Sequence, residues 1–248
     1  MKKNTSYFLW GAAKVSSDRI EPTHYVRNFL VKRLVKRYSK KFKINNICEI
    51  GCGVGINSIN LANIGFKIDA FDMDKEAVNL AKKYNKHKNI DYRSKDVLKL
   101  KSNKKYDMVL AIEVLEHIRE DAKALNKISS ILNKKGTLLL TVPIHEHYRR
   151  EFDDRSGHVR RYKPSDLIKK LKNSGFEIIY KKFLNFPLLW IWYFTVYLPY
   201  SNKKAKESAD KKLPFFVRVL GIINKFFLID LLFNSKKATN ILILARKI

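Results

Sequence analysis

Glu49, Gly51, Gly53 and Gly55 occupy alternate positions in the run Cys48-Glu49-Ile50-Gly51-Cys52-Gly53-Val54-Gly55. An apolar stretch (Ile44, Ile47, Ile50) leads into them, and a helix-type pattern (Ile59, Leu61, Ala62, Ile64) leads away. Strand, glycine turn and helix in that order make a cradle for a nucleotide-like ligand, because glycine alone lets a backbone come so close to a bound group. The dinucleotide spacing G-x-G-x-x-G would put its third glycine at Ile56, so that fingerprint is absent. Asp72 ends the next apolar strand, roughly 20 residues past the glycines, where an acid is placed to hydrogen-bond both ribose hydroxyls. Four of the six histidines lie between His117 and His158, and imidazole is the side chain that takes up a proton near neutral pH. His145 and His147 form only an i, i+2 pair, and no metal centre is expected.

The elements that must position these residues alternate regularly. Phe66 to Phe71 reads as a second strand ending in Asp72-Met73-Asp74, Glu76 to Tyr84 as a helix, and Ile90-Asp91-Tyr92 as a third strand followed by Ser94-Lys95-Asp96-Val97. Tyr106 to Ile112 reads as a fourth strand running into Glu113-Val114-Leu115-Glu116-His117-Ile118, and Leu125 to Leu132 as a helix. Lys134-Lys135-Gly136 is a turn signal, Thr137 to Pro143 a fifth strand, and Ser165 the expected N-cap of a helix opening at Lys163-Pro164-Ser165-Asp166-Leu167. Such alternation argues for an α/β fold with a parallel sheet covered on both faces.

The spacing E-x-G-x-G-x-G resembles motif I of the class I S-adenosylmethionine-dependent methyltransferases. Asp72, the Asp96-Val97 step and the V-L-E-H form of motif IV follow in register, so the resemblance covers roughly residues 44 to 183. The run Gly157-His158-Val159-Arg160-Arg161-Tyr162-Lys163-Pro164 resembles a segment of the small-molecule and lipid-pathway branch (methyltransferase type 11/12-like), which builds its acceptor pocket from the loop after the fifth strand. The resemblance implies a Rossmann-like, seven-stranded, doubly wound sheet whose last strand is antiparallel, with Phe176 to Tyr180 and Asn240 to Ala245 as its sixth and seventh strands. It implies S-adenosyl-L-methionine as cofactor. It places Glu49 by the methionine amino end, Gly51, Cys52, Gly53 and Gly55 along the ligand, Asp72 on the ribose, Met73 on the adenine face and Asp96 with Val97 at the adenine amino edge. Glu113 falls at the end of the fourth strand, where the transferred methyl points. For a hydroxyl acceptor, His117 or His158 can take the proton. Ala111-Ile112-Glu113-Val114 stands where methyltransferases of nucleobase amino groups carry [N/D]-P-P-[Y/F], which argues against that acceptor class.

The net charge is +28, with basic runs at 32–43, 99–105 and 203–212. A solvated basic face is the default reading, and attraction to a polyanion or an anionic membrane is the alternative. No RNA-binding module is visible, so nucleic acid is not the expected partner. The two cysteines both sit in the glycine motif, which leaves too few for a four-cysteine zinc site and fits reduced thiols in the cytoplasm. Tyr7 to Ala13 is too short and interrupted for a signal-peptide core, so no secretion is expected.

Thr23 to Lys41 reads as a helix with an apolar stripe (Val26, Leu30, Leu34, Tyr38) and a basic opposite face, expected as a lid at the sheet edge. His24-Tyr25-Val26-Arg27 loosely resembles an aromatic/Arg segment that touches cofactor or substrate in some relatives. Between the sixth and seventh strands lies an apolar insertion: 183–200 has no charged residue, 201–212 is lysine-rich, and 213–233 is apolar but for a narrow polar stripe. It reads equally as a soluble helical cap over the acceptor or as a hairpin in a membrane interface, with true spanning well behind.

The expected organisation is a basic helical arm (1–43), a cofactor-binding core (44–183), the apolar insertion (184–238) and a final core strand (239–248). The expected function is transfer of a methyl group to a small-molecule acceptor linked to a lipid or glycan pathway, with O-methylation the expected chemistry. The expected setting is cytoplasmic, with peripheral contact of 183–234 on the inner membrane face. An RNA methyltransferase, a non-catalytic methyltransferase-like membrane module and a homodimer built on the insertion are the alternatives.

Overall fold

The computed structural model describes residues 22–100, 104–197 and 224–248. The chain's first residues, the lysine-rich 203–212 and most of the second apolar limb of the insertion therefore lie outside the described residues.

The chain opens with α1 (Pro22–Phe42) and then builds β1 (Asn46–Ile50), α2 (Ile56–Ala62), β2 (Lys67–Asp72), α3 (Lys75–Tyr84), β3 (Ile90–Ser94) and β4 (Tyr106–Ile112). It continues with α4 (Asp121–Ile131), β5 (Leu132–Pro143), α5 (Glu151–Ser156), α6 (Pro164–Asn173), β6 (Phe176–Leu184), α7 (Leu188–Trp192) and β7 (Asn240–Lys247). The seven strands form one sheet in the order β3-β2-β1-β4-β5-β7-β6. β1 to β5 pair in parallel, and β7 inserts antiparallel between β5 and β6.

Both faces of the sheet are buried, and the strands show it by alternation. Ile47, Met108, Leu110, Leu139 and Leu242 share one cluster with Leu30, Val31, Leu34 and Val35 of α1 and Leu61 of α2. Cys48, Val109, Ala111, Leu138 and Leu140 share the other with Leu125 and Ile128 of α4 and Leu167 and Leu171 of α6. A period of two in a strand sends neighbours to opposite faces, so each strand feeds both layers. The basic helix α1 thus packs on a face of the sheet beside α2, not at its edge as expected.

Three local expectations are corrected. β5 begins at Leu132 and not at Thr137, carried through the Lys135-Gly136 step with Lys135 at φ 64°. β6 runs on to Leu184, paired with β7 as far as Leu184 opposite Asn240 with one register shift between Ile178 and Tyr180. Ser165 is not the N-cap of α6: Pro164 takes the first helical position, Lys163 the cap, and the Ser165 hydroxyl donates to Asp166 Oδ1 at 3.1 Å. Proline presets the helical φ and has no N–H to satisfy, so it wins the first position.

One buried polar knot fastens the second layer. Asp121, at the start of α4, accepts from Lys170 Nζ of α6 at 2.7 Å and Tyr162 Oη at 2.8 Å and pairs with Arg160 Nη1 at 2.5 Å. Burial alone would raise its carboxyl, but the hydrogen bonds of Lys170, Tyr162 and Arg160 outweigh that and hold it below the usual range. Stability from a lowered acid is present above the ordinary carboxylate pKa and lost as the pH falls. Asp121→Ala strands the tyrosine and two cations, and we expect a loss of about 3 kcal/mol in urea unfolding at pH 7. A loss below about 1 kcal/mol, the value of an exposed pair, would show the knot to be ornamental.

Candidate active site at the carboxyl edge of the sheet

The chain leaves β1 toward β2 and β3 on one side and returns to β4 on the other, and this reversal opens a crevice at the strands' carboxyl ends. The residues expected at the site lie at those ends or in the loops that follow them. The glycine turn after β1 takes left-handed backbone at Gly51, Gly53 and Gly55, with φ of 68°, 52° and 81°. A Cβ on Gly51 would meet Val114 Cγ2 at 2.4 Å, and one on Gly55 would meet Tyr92 Oη at 2.3 Å. The turn therefore touches the loop after β4 directly, and no side chain fits between them.

Asp72 holds the turn open in one shape. Its Oδ2 accepts from Gly53 N–H at 2.8 Å and its Oδ1 from Asp74 N–H at 2.9 Å. Burial raises its carboxyl, and those backbone donors pull it back. Beneath the turn, Glu49 is only 1% exposed, and its Oε2 accepts the Ser58 hydroxyl of α2. Burial pushes its carboxyl up to about 7, against the hydrogen bonds of Ser58 and Asn57 and with the charge of Asp72. Cys48 and Cys52 are free, buried thiols, pushed upward by burial and by nearby acids, and so are poor nucleophiles.

Met73 stands 70% exposed at the tip of β2, an apolar surface on which a flat base can lie. Asp96 caps the turn Val97–Lys99 by accepting from Leu98 N–H at 2.9 Å, and Val97 is buried beside it. Backbone that approaches without Cβ atoms, a buried acid at the end of β2 and an exposed apolar side chain beside it together fit an adenosyl ligand.

On the other side of the crevice, Glu113 leaves β4 at φ 55° with its N–H bonded to Thr141 O at 3.0 Å. Its Oε2 accepts from Asn240 Nδ2 at 2.9 Å and lies 3.5 Å from Arg27 Nη1. Arg27 thus brings α1 beside Glu113. Glu116, 0% exposed, has no hydrogen-bond partner for either carboxylate oxygen among the described residues.

His117 and His158, distant in sequence, meet edge to face with ring centroids 4.8 Å apart. His117 Nδ1 lies 3.2 Å from the Gly157 carbonyl, and His158 Nδ1 lies 2.7 Å from Asp153 Oδ1. Asp153 is also held by Arg161 Nε at 2.9 Å and Arg150 N–H at 2.9 Å. Burial opposes its charge, but His158 and Arg161 prevail and bring its carboxyl down to about 2. Burial, and then the neighbouring His158, lowers His117 so that it is neutral at pH 7. His145 and His147 instead stack on each other, and His145 Nε2 is 2.7 Å from the Lys236 carbonyl.

The insertion springs from this same edge, because antiparallel β7 starts with Asn240 opposite both Pro143 of β5 and Leu184 of β6. Asn185 ties the root by donating to Thr239 Oγ1 and Asn240 Oδ1, each at 3.1 Å. Asp230 accepts the N–H groups of Leu188 and Leu189 at 3.0 and 2.8 Å, joining the two described limbs. Leu189 and Phe227 pack with Val26 of α1, while Phe226, Ile229, Leu232 and Ile191 stay exposed. No helix among the described residues is long and apolar enough to cross a membrane.

A family model described as methyltransferase domain matches residues 23–181, more than half of the chain. The chain is 26% identical over 224 residues to the ubiquinone biosynthesis O-methyltransferase of Rickettsia bellii (strain OSU 85-389), covering 83% of this chain and 88% of the relative. It is 31% identical over 102 residues to the protein of the same name from Rickettsia akari (strain Hartford), covering 40% of each. Among solved structures, magnesium protoporphyrin IX methyltransferase (ChlM) from Synechocystis PCC 6803 with bound SAH superposes with a TM-score of 0.63 at 15% identity, over 100% of this chain and 95% of that one. The N-methyltransferase NodS from Bradyrhizobium japonicum WM9 gives 0.59 at 16% identity, over 92% and 88%. At such identities the structural likeness speaks for the fold alone. With the sheet order and the glycine cradle, the family match settles the class: this chain belongs to the class I S-adenosylmethionine-dependent methyltransferases.

Proposed function

We propose that this methyltransferase transfers its methyl group to a hydroxyl of a small apolar acceptor, of a kind that partitions into membranes. The observation that carries the reading is the meeting of His117, just past β4, with His158 of the loop after β5, with the glycine cradle against one side of the loop that leaves β4 and the root of the apolar insertion on the other. Support comes also from the curated relatives, which are named as O-methyltransferases of ubiquinone biosynthesis.

S-adenosylmethionine, when bound, supplies a sulfonium-activated methyl: the acceptor oxygen's lone pair forms the new C–O bond as the C–S bond breaks and its electrons return to sulfur. Glu49 would hold the ammonium end, the backbone of Gly51, Cys52, Gly53 and Gly55 the middle, Asp72 the ribose, and Met73, Asp96 and Val97 the base. Positioning supplies most of the catalysis in such an in-line displacement. His158, turned by Asp153, and His117, turned by the Gly157 carbonyl, each keep Nε2 free to take the hydroxyl's proton. Glu113, fixed by Asn240 and Arg27, borders the space between cradle and histidines.

The exposed Phe226, Ile229, Leu232 and Ile191, beside a chain of +28 net charge, favour peripheral contact of 183–234 with an anionic inner membrane face, where apolar acceptors collect. In this division 44–183 and 239–248 make the transfer core, 184–238 the acceptor-gathering insertion and 1–43 the basic arm.

The test is incubation of the protein with methyl-labelled donor and an extract of its own cells, followed by separation into organic-phase, nucleic-acid, protein and aqueous fractions. Label is expected in the organic phase, in an ether that survives mild base. Label in RNA would overturn the reading, and label in a base-labile ester or an amine would overturn its hydroxyl.

A further inference from the structure

We propose that Tyr92 and Asn85 are positioning residues for the methyl donor, a brace that holds the glycine turn from behind in the shape the donor meets. The first half of the turn is tied to β2, where Cys52 N–H donates to Phe71 O at 3.0 Å and Gly53 N–H to Asp72 Oδ2 at 2.8 Å. Its second half, Val54 and Gly55, is met through its carbonyls instead. Asn85, at the end of α3, donates through Nδ2 to Val54 O at 2.6 Å. Tyr92 of β3 places Oη 3.4 Å from Gly55 O, which also takes the Ile59 N–H, and 3.4 Å from Asn85 O. The same hydroxyl fills the space under Gly55, where a Cβ would meet it at 2.3 Å.

The proton on that hydroxyl can be followed. Tyr92 is buried, and burial, then the charges of Glu49 and Cys52, push its hydroxyl upward, so it keeps its hydrogen. Ser58 of α2 gives its own hydrogen to Glu49 Oε2 and lies within bonding reach of Tyr92. A serine whose hydrogen is already given can only accept. Tyr92 is therefore the donor of this group, toward Ser58 Oγ and the Gly55 and Asn85 carbonyls. No apolar side chain of the same size supplies that donor.

The consequence for the donor follows from the stiffness of the peptide unit. A peptide plane fixed at its C=O is fixed at the N–H that follows. Gly53 and Gly55 lie in left-handed backbone at φ 52° and 81°, and glycine left unheld ranges more widely than any other residue. A turn ordered before the ligand arrives spares binding the cost of ordering it. The inference rests on the reading that the donor lies along Gly51, Cys52, Gly53 and Gly55.

The experiment compares full-length wild type, Tyr92→Phe, Asn85→Ala and their double variant, with S-adenosylhomocysteine as the probe and no acceptor. Tyr106→Phe is the control, since it removes a buried hydroxyl bonded to Asp69 Oδ2 at 2.6 Å at the amino end of β4. Affinity is read by calorimetry at a temperature where every variant is folded, and amide exchange of residues 50–58 by mass spectrometry. We expect each single variant to bind about 3–10-fold more weakly, the worth of one hydrogen bond, and the double variant about tenfold or more. The unliganded turn should exchange about fivefold faster in the double variant, and slow again when the probe binds. Tyr106→Phe should lose stability yet match wild type in affinity and in exchange of the turn. A double variant that binds within about threefold of wild type, or whose turn exchanges at the wild-type rate, would overturn the brace. Failure of the donor's placement looks different: the probe then leaves exchange of 50–58 unchanged in wild type itself.

Discussion

Asp72→Ala is expected to weaken binding of S-adenosylmethionine more than 100-fold and to destabilise the protein by about 2 kcal/mol, through two separable losses. The carboxylate would lose its place against the ribose, and the N–H groups of Gly53 and Asp74, now bonded at 2.8 and 2.9 Å, would lose their acceptor. A good charge-assisted hydrogen bond is worth about 1.5–3 kcal/mol, so two to the ribose account for the affinity without help from the turn. Asp72→Asn separates the effects, because its amide keeps one acceptor oxygen and the side chain's shape. Its melting temperature should stay near wild type, while affinity in equilibrium titration still falls more than tenfold. If Asp72→Ala binds the donor within threefold of wild type, the ribose lies elsewhere and Asp72 serves only to tie β1 to β2.

What the sequence disclosed follows the range of the forces involved. The glycine turn, Asp72 and the alternation of Met108, Val109, Leu110 and Ala111 in β4 are written in neighbouring residues, and all are found where local pattern puts them. The Ser165 cap failed within one residue, because Ser165 was weighed without the stronger claim of Pro164 to the first helical position. Glu116 was visible inside the V-L-E-H segment, but its isolation was not. Burial of that carboxylate depends on the loop around Gly157 and His158, whose Val159 N–H bonds the Glu116 carbonyl at 2.8 Å. The meeting of His117 with His158 depends on the same loop, and the orienting Asp153 is recruited by Arg161 from across it. Asn240 beside Glu113 is longer-ranged still, since the antiparallel register of β7 decides it. The one residue-level hint was the unusual density of histidine and arginine between 145 and 161, which marks a polar cluster without giving its geometry.

With Glu49 holding the donor's ammonium as proposed, donor binding is expected to depend on pH. The Glu49 carboxyl sits at about 7 in the folded protein against an ordinary 4.5, raised by burial and by Asp72. Ser58 and Asn57 bond it, and the neighbouring Cys48, Cys52 and Tyr92 are themselves pushed upward and stay neutral at pH 7. A raised acid favours its protonated form in the fold. Its contribution to stability is thus fully present below pH 4.5 and lost as the pH rises through 7, a swing of about 3 kcal/mol at most. Binding of the donor's ammonium requires the anion instead, so below pH 7 each binding event must expel a proton. Affinity is expected to rise about tenfold per pH unit up to 7, level off, and fall again above about 8 as the donor's own amine loses its charge. Calorimetry at pH 6 in buffers of different ionisation enthalpy should register close to one proton released. In Glu49→Gln the acid limb disappears, and the affinity at pH 7.5 falls by about 1.5–3 kcal/mol, the value of a hydrogen bond to a charged group. An acid limb that survives in Glu49→Gln would move the titrating group to Asp72 and leave Glu49 a structural partner of Ser58.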